Sequence, residues 1–318
     1  MLPAYQPRVE RDEYFNFWSY RRYLGSRVAQ ACVRHGYDVT GLVRNHARIT
    51  ALPAQVKPLV GDLSQPEKIA ALCTDFDTII NTGFPSHGKA WFESVALEKD
   101  LHRRLVETLS NTNKTLIVTN GTIFLGDSGE GRLTENAPIQ PEHPAAIRAD
   151  STRIALNGAQ QGIRVMELRL ASFVYGEGGS IFLPLLMATA RRTRRSIYVG
   201  DGQIGASTVH VNAAAKAFVQ ALKYGKAGEI YHIAGDEEPL VYQMANAIAI
   251  GAGNDCQAVS VSQAEAVEST DSFTTLFLTT NNRLNSTKAR TELGWSGATD
   301  ISLLWDVAHG SYANQSMF

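Results

Sequence analysis

Residues 24–45 read LGSRVAQACVRHGYDVTGLVRN, and this stretch decides the fold. Its first half has helical character, and Gly36 follows where a left-handed cap residue is expected. Its second half holds DVTGLV (38–43), a short apolar run with β-branched residues that reads as a strand.

The same alternation recurs outward from there. Strand-like runs KPLVGD (57–62), TIINTG (78–83), TLIVTN (115–120) and IRVMELR (163–169) alternate with the helical segments PEKIAALC, FESVALEKDLHRRLVETLSN and AAIRADSTRIALNGAQQG, the last followed by a second cap candidate, Gly162. Strand and helix in turn call for crossover connections, so the expected class is α/β with a parallel sheet. Ligands of such sheets bind at the carboxyl ends of the strands. Gly61-Asp62, Asn81-Thr82-Gly83 and Thr119-Asn120-Gly121-Thr122 stand at three of those ends and are expected to line the crevice.

After about residue 175 the texture changes to YGEGGSIFLPLLMATARRTRR, SIYVGDG, a VHV strand signal, the helix AAAKAFVQALKYG and the strand EIYHIAG. That pattern predicts a smaller lobe interleaved with the sheet. The expected division is an N-terminal arm over 1–23, a core over 24–175 continued by about 205–235, and a C-terminal substrate lobe over 176–204 and 236–318.

Composition narrows the function classes. The 318 residues carry 30 Lys and Arg against 31 Asp and Glu, so there is no basic footprint and nucleic acid is not an expected partner. No apolar run approaches the roughly 20 residues that span a bilayer, and the start MLPAYQPRVERDEY does not read as a signal peptide. Cys32, Cys73 and Cys256 are scattered and lack metal spacing, which suits a reducing, cytoplasmic setting. A small molecule is the expected partner, with no membrane and no metal. One gap stands out: residues 115–174 contain neither Lys nor Tyr.

From Leu24 to about Tyr312 the chain resembles the extended short-chain dehydrogenase/reductase superfamily, of the NAD(P)-dependent epimerase/dehydratase type, and its atypical members above all. The resemblance is carried by residues 24–45 together with VGDL (60–63), VTNGTIFLGD (118–127), ELRLASFVYGEGG (167–179), YVGDG (198–202), VHV (209–211), IYHIAG (230–235) and KARTELGW (288–295). It implies a doubly wound, Rossmann-like parallel sheet holding a nicotinamide dinucleotide, a C-terminal lobe shaping the substrate pocket, and hydride transfer at a carbonyl or alcohol carbon. A homodimer paired through helices is also common in the superfamily.

The chain departs from the family in two places. Members carry a first strand and a GxxGxxG turn that lets backbone N–H groups approach the pyrophosphate. Here FNFWSYRRYLG keeps only Gly25, with Arg21 or Arg22 and Ser19 about where glycines belong. Either the loop is lost or the first residues are not the natural start, and ERDEYFNFWSYRR reads poorly as a strand. The second departure is catalytic. The family's Tyr, with Lys four residues on, works because the ammonium lowers the phenol pKa. That pair belongs near the start of the helix over 144–161, inside the gap.

Candidate residues follow from this map. Thr119 and Thr122 flank Gly121, where the resemblance places a hydroxyl that steadies the carbonyl. Asp100 looks like the Asp that atypical members carry. Glu142, His143 and Arg148 stand close to the missing pair, and Glu142 and His143 are candidate proton shuttles. For the cofactor, the position where NAD-preferring relatives carry an acid reads Val43 and Arg44 follows, so NADP is expected; Gly25, Asp62, Leu63 and Thr82 complete that set. His87, Tyr175 and His210 are candidate substrate contacts. The run Arg191, Arg192, Arg194, Arg195 is either a diphosphate site or a basic helix end. Two functions remain open: an NADP-dependent oxidoreductase or epimerase of the atypical kind, or a cofactor-free lyase, isomerase, cyclase or binding protein on the same fold.

Overall fold

The computed structural model describes residues 13–17, 23–86 and 89–313. The strands are β1 (Glu13–Phe17), β2 (Asp38–Val43), β3 (Lys57–Val60), β4 (Thr78–Asn81), β5 (Thr115–Asn120), β6 (Arg164–Leu170), β7 (Phe173–Tyr175), β8 (Arg195–Val199), β9 (Thr208–His210), β10 (Ile230–Ile233) and β11 (Gln257–Val261). The helices are α1 (Leu24–Arg34), α2 (Pro66–Leu72), α3 (Trp91–Leu109), α4 (Ala146–Leu156), α5 (Leu183–Thr193), α6 (Val211–Tyr224), α7 (Val241–Ala252), α8 (Gln263–Ser269), α9 (Ser272–Thr279), α10 (Thr287–Leu293) and α11 (Leu303–His309).

One sheet runs in the order β3-β2-β1-β4-β5-β6-β10. Every neighbouring pair in it is parallel. Both faces are covered, which is why its strands read as near-continuous apolar runs. Val39, Ile80, Ile117, Met166 and Leu168 pack toward α1 and α6. Leu42, Ile79, Leu116, Val118 and Val165 alternate to the other face and pack toward α2, α3 and α4. This is the doubly wound, Rossmann-like α/β fold. Strand order reverses between β1 and β4, and at such a switch point the loops diverge and leave a crevice. Gly36 adopts φ +85° just past α1, as a left-handed cap requires.

Residues 13–17 correct the expectation of an arm over 1–23. Their main chain pairs with β2 on one side (Glu13↔Asp38) and β4 on the other (Tyr14↔Thr78), so they form a central strand. Pairing on both sides supplies the order that local propensity does not.

The lobe packs α5, α7, α9 and α11 around a second core that includes Phe182, Leu186, Met244, Ile248, Phe277, Leu303 and Val307. The small parallel pairs β8–β11 and β7–β9 join it. Among the described residues no helix is long and apolar enough to cross a membrane, and no group of three or more His, Cys, Asp or Glu is placed to hold a metal.

Candidate functional site

A cavity of about 210 Å3 opens at the carboxyl ends of β4, β5 and β6. That exceeds the roughly 150 Å3 of an apolar cavity that takes up benzene. Thr82, Thr119, Asn120, Gly121, Leu170, Ala171 and Ser172 form the wall at the strand ends, with Tyr23 and Leu24 at the start of α1. The opposite wall comes from the lobe through Ile181, Phe182, Phe273 and Phe277, and Phe84, Trp91 and Phe124 join the two.

Arg148, in the first turn of α4, is the one charged side chain among the described residues that line the cavity. Its Nε donates to Glu98 Oε2 (3.1 Å), and its Nη2 donates to Glu98 Oε1 (3.0 Å) and to the Thr119 carbonyl (3.3 Å). Its guanidinium lies over the Phe84 ring at 4.5 Å. Glu98 on α3 is 1 % exposed and finds its countercharge here. A fork held on two edges and one face is fixed in orientation. Nη1 makes no hydrogen bond to the described residues and remains for a ligand.

Behind this pair lies a buried relay. Asn81 Oδ1 accepts from the Gly83 N–H (3.0 Å), so its amide donates to His102 Nε2 (3.0 Å). The ring proton is thereby assigned to Nδ1, 2.9 Å from both the Ser151 carbonyl and the Ser151 hydroxyl. Burial lowers the His102 pKa, and the ring is neutral. The relay ties α3 and α4 to the loop that carries Thr82.

The loop after β5 has its own fastener. Asn282, 1 % exposed, donates from Nδ2 to the carbonyls of Thr122 (3.1 Å) and Gly126 (3.0 Å). Its Oδ1 accepts from the hydroxyls of Thr122 (2.9 Å) and Ser172 (3.0 Å). All four hydrogen-bonding positions of the amide are filled.

Of the residues expected from sequence, Thr119 and Thr82 line the cavity, and Thr119 Oγ1 is buried without a partner. Thr122 does not line it, being fully buried with its hydroxyl on Asn282. Asp100 points outward into ion pairs with Arg103 and Arg104; the acid of α3 that reaches the site is Glu98. Glu142 is exposed on its turn. His143 is half-buried, accepts from the Ala145 N–H (3.1 Å) and has its pKa lowered by burial, away from the cavity lining. Tyr175 is buried, donates to the Ile301 carbonyl (2.8 Å) and has its phenol pushed well above its usual range by burial. His210 caps α6 by accepting the Asn212 N–H (3.2 Å) and packs edge-on against Tyr175. His87 lies outside the described residues, as do Ser19, Arg21 and Arg22. Arg191 donates to the carbonyls of Tyr312 and Ala313 in the lobe.

The described residues fit a dinucleotide along the rest of the edge. Gly25 is buried in the first turn of α1, which contains no acidic residue and no side-chain cap. Arg44 and Asp62 stand together at the ends of β2 and β3 with Nε to Oδ2 at 3.5 Å, and Asp62 also accepts from the Ser64 N–H (2.9 Å). Leu63 turns into the core beneath. Above Gly121, where the resemblance places a hydroxyl, there is open space.

Sequence reasoning missed Glu98, His102, Asn282 and the aromatic wall. Arg148 lies 50 residues from Glu98, Ser151 49 from His102 and Thr122 160 from Asn282, beyond any local motif.

Comparison with known proteins agrees with this architecture. Residues 21–234 match the NAD dependent epimerase/dehydratase family. An uncharacterized protein of Schizosaccharomyces pombe is 31 % identical over 291 residues, covering 91 % of this chain and 96 % of that one. A 4-hydroxy-2-methyl-3-oxo-4-farnesyl-3,4-dihydroquinoline-1-oxide ketoreductase of Stigmatella aurantiaca is 26 % identical over 227 residues, covering 66 % of this chain and 65 % of that one. The crystal structure of a UDP-glucose 4-epimerase of Thermotoga maritima superposes with a TM-score of 0.75 at 16 % identity, over 94 % of this chain and 98 % of the other. With its sheet, its crevice and a match over residues 21–234, the chain belongs to the NAD-dependent epimerase/dehydratase family.

Proposed function

We propose that the chain is an NADP-dependent oxidoreductase of the atypical kind, interconverting a carbonyl and its alcohol with Arg148 in place of the family's Tyr and Lys. The observation that carries this reading is a guanidinium anchored by a buried carboxylate and turned to a cavity at the strand ends. The central placement of β1 favours it over the cofactor-free alternative, since the sheet edge is whole. The ketoreductase among the relatives supports reduction of a ketone.

The dinucleotide, when bound, supplies or accepts the hydride. Arg44 would meet its 2′-phosphate, with Asp62 beside it, and the first turn of α1 its pyrophosphate. Arg148 does the rest by charge. A carbonyl oxygen grows more negative as its carbon takes up hydride, and a fixed cation there stabilises the transition state more than the ground state. A guanidinium does not give up its proton at working pH, so water protonates the alkoxide and leaves hydroxide. Glu98 holds the cation in place and Thr119 offers a hydroxyl beside it.

Titration with NADPH and NADH tests the reading, followed by nucleotide fluorescence and melting temperature. NADPH at 100 times its dissociation constant is expected to add about 2.7 kcal/mol of stability. Arg44→Ala should weaken NADPH at least tenfold and leave NADH within about twofold, the loss of one charged contact to phosphate. Absence of any shift at millimolar cofactor would overturn the proposal.

A further inference from the structure

We infer that the cavity takes a ring-bearing, largely apolar compound with a single oxygen function at the Arg148 end, rather than a sugar nucleotide; this rests on the reading that a carbonyl or alcohol carbon reacts there. Most polar groups of the wall are already engaged, and only Thr119 Oγ1 and Trp91 Nε1 are buried there without a partner among the described residues. Tyr23 donates to the Gly176 carbonyl (2.8 Å), and Asn120 accepts from the Gly121 N–H (2.9 Å) while its amide donates to Thr152 (3.4 Å). Ser172 donates to Asn282 (3.0 Å), and Ser180 accepts from the Phe182 N–H (3.4 Å). Little is left to satisfy the row of hydroxyls on a sugar, and a buried hydroxyl without a partner is costly.

Charge gives the same answer. A diphosphate would bring at least two negative charges to a cavity whose described lining has one cation. The other basic cluster, at the end of α5, does not line the cavity: Arg191 is bound to two main-chain carbonyls of the lobe, and Arg192, Arg194 and Arg195 are exposed.

What the cavity does offer is a run of rings. Arg148 lies over Phe84, whose centroid is 5.3 Å from that of Trp91. Trp91 is 5.5 Å from Phe273, which is 5.2 Å from Phe277, itself 4.2 Å from Phe182. Phe273 and Ile181 carry this apolar surface out to the rim, where they are 39 % and 62 % exposed. An apolar body entering there strips water from rings and aliphatic carbon along its whole length. Its oxygen then meets the one fixed cation.

The experiment uses the whole protein, with and without saturating NADP, titrated with 2-acetylnaphthalene and with UDP-glucose. Tryptophan fluorescence and melting temperature report binding. The ketone is expected to bind at least tenfold tighter than UDP-glucose. Phe273→Ser and Ile181→Lys, both at the exposed rim, should each weaken the ketone fivefold or more and leave NADP affinity unchanged. UDP-glucose binding as tightly as the ketone would overturn the inference, as would ketone affinity unmoved in both rim variants. Ketone binding that depends on the rim in a protein deaf to NADP would uphold the cavity inference and sink the oxidoreductase reading instead.

Discussion

At the residue scale the Glu98–Arg148 pair separates structure from chemistry. Removing one partner of a buried ion pair leaves an uncompensated charge and costs about 3–5 kcal/mol, whereas replacing both is close to neutral. Arg148→Met is therefore expected to lower stability by about 3 kcal/mol, and adding Glu98→Gln should restore most of it in urea unfolding. Carbonyl reduction should not return with it: both proteins should remain down by about 10²–10³ in kcat, the loss typical of one oxyanion donor. Recovery of turnover in the double variant would show that Arg148 serves only the fold. Arg148 was visible in the sequence as a neighbour of the vacant Tyr and Lys positions. Its role was not, because the partner that fixes it lies 50 residues earlier on another helix. Asp100 misled for a related reason: it lies two positions from Glu98 on a helix, and such neighbours face different ways.

At the scale of elements, sequence was most informative where a strand is buried on both faces. DVTGLV is β2 over the same six residues, and TLIVTN is β5. It was least informative at β1, whose EYFNF gains order from hydrogen bonds to two neighbours rather than from its own residues. A test follows directly. Deleting residues 1–17 removes the strand between β2 and β4 and leaves two unpaired edges in the middle of the sheet. The truncated chain should lose its cooperative unfolding transition and aggregate. A dispensable arm would leave the urea midpoint unchanged. The aromatic wall was illegible for another reason: Phe273 and Phe277 fall in a C-terminal stretch whose docking onto Phe182 and Trp91 has no local signature.

At the scale of the molecule, buried neutral histidines set a limit on acid stability. His232 on β10 is fully buried, and burial together with the Arg169 guanidinium pushes its pKa down to about 3. His102 is lowered as well, by burial. Both rings become protonated in the unfolded chain below about pH 6.5, whereas in the folded one His232 stays neutral down to about pH 3 and burial makes His102 harder to protonate. The unfolded state therefore binds more protons, and stability falls as pH drops, for His232 over the window from about 6.5 to about 3. Each group contributes a slope of up to about 1.4 kcal/mol per pH unit. Urea midpoints between pH 6.5 and 5, above most carboxylate titrations, should show this fall, and His232→Asn should flatten it. An equal slope in the variant would refute the assignment.

Asn282 also bears on time. The loop it holds is made early in synthesis, yet the amide that fills its carbonyls is 160 residues later in the chain. A contact across such a span carries a large closure entropy and forms after local structure is in place. The strands and helices around the crevice can assemble while the ribosome is still working. The wall formed by Thr119 to Gly121 gains its final shape only once residue 282 has emerged to hold the turn that follows, so the candidate site is completed near the end of folding.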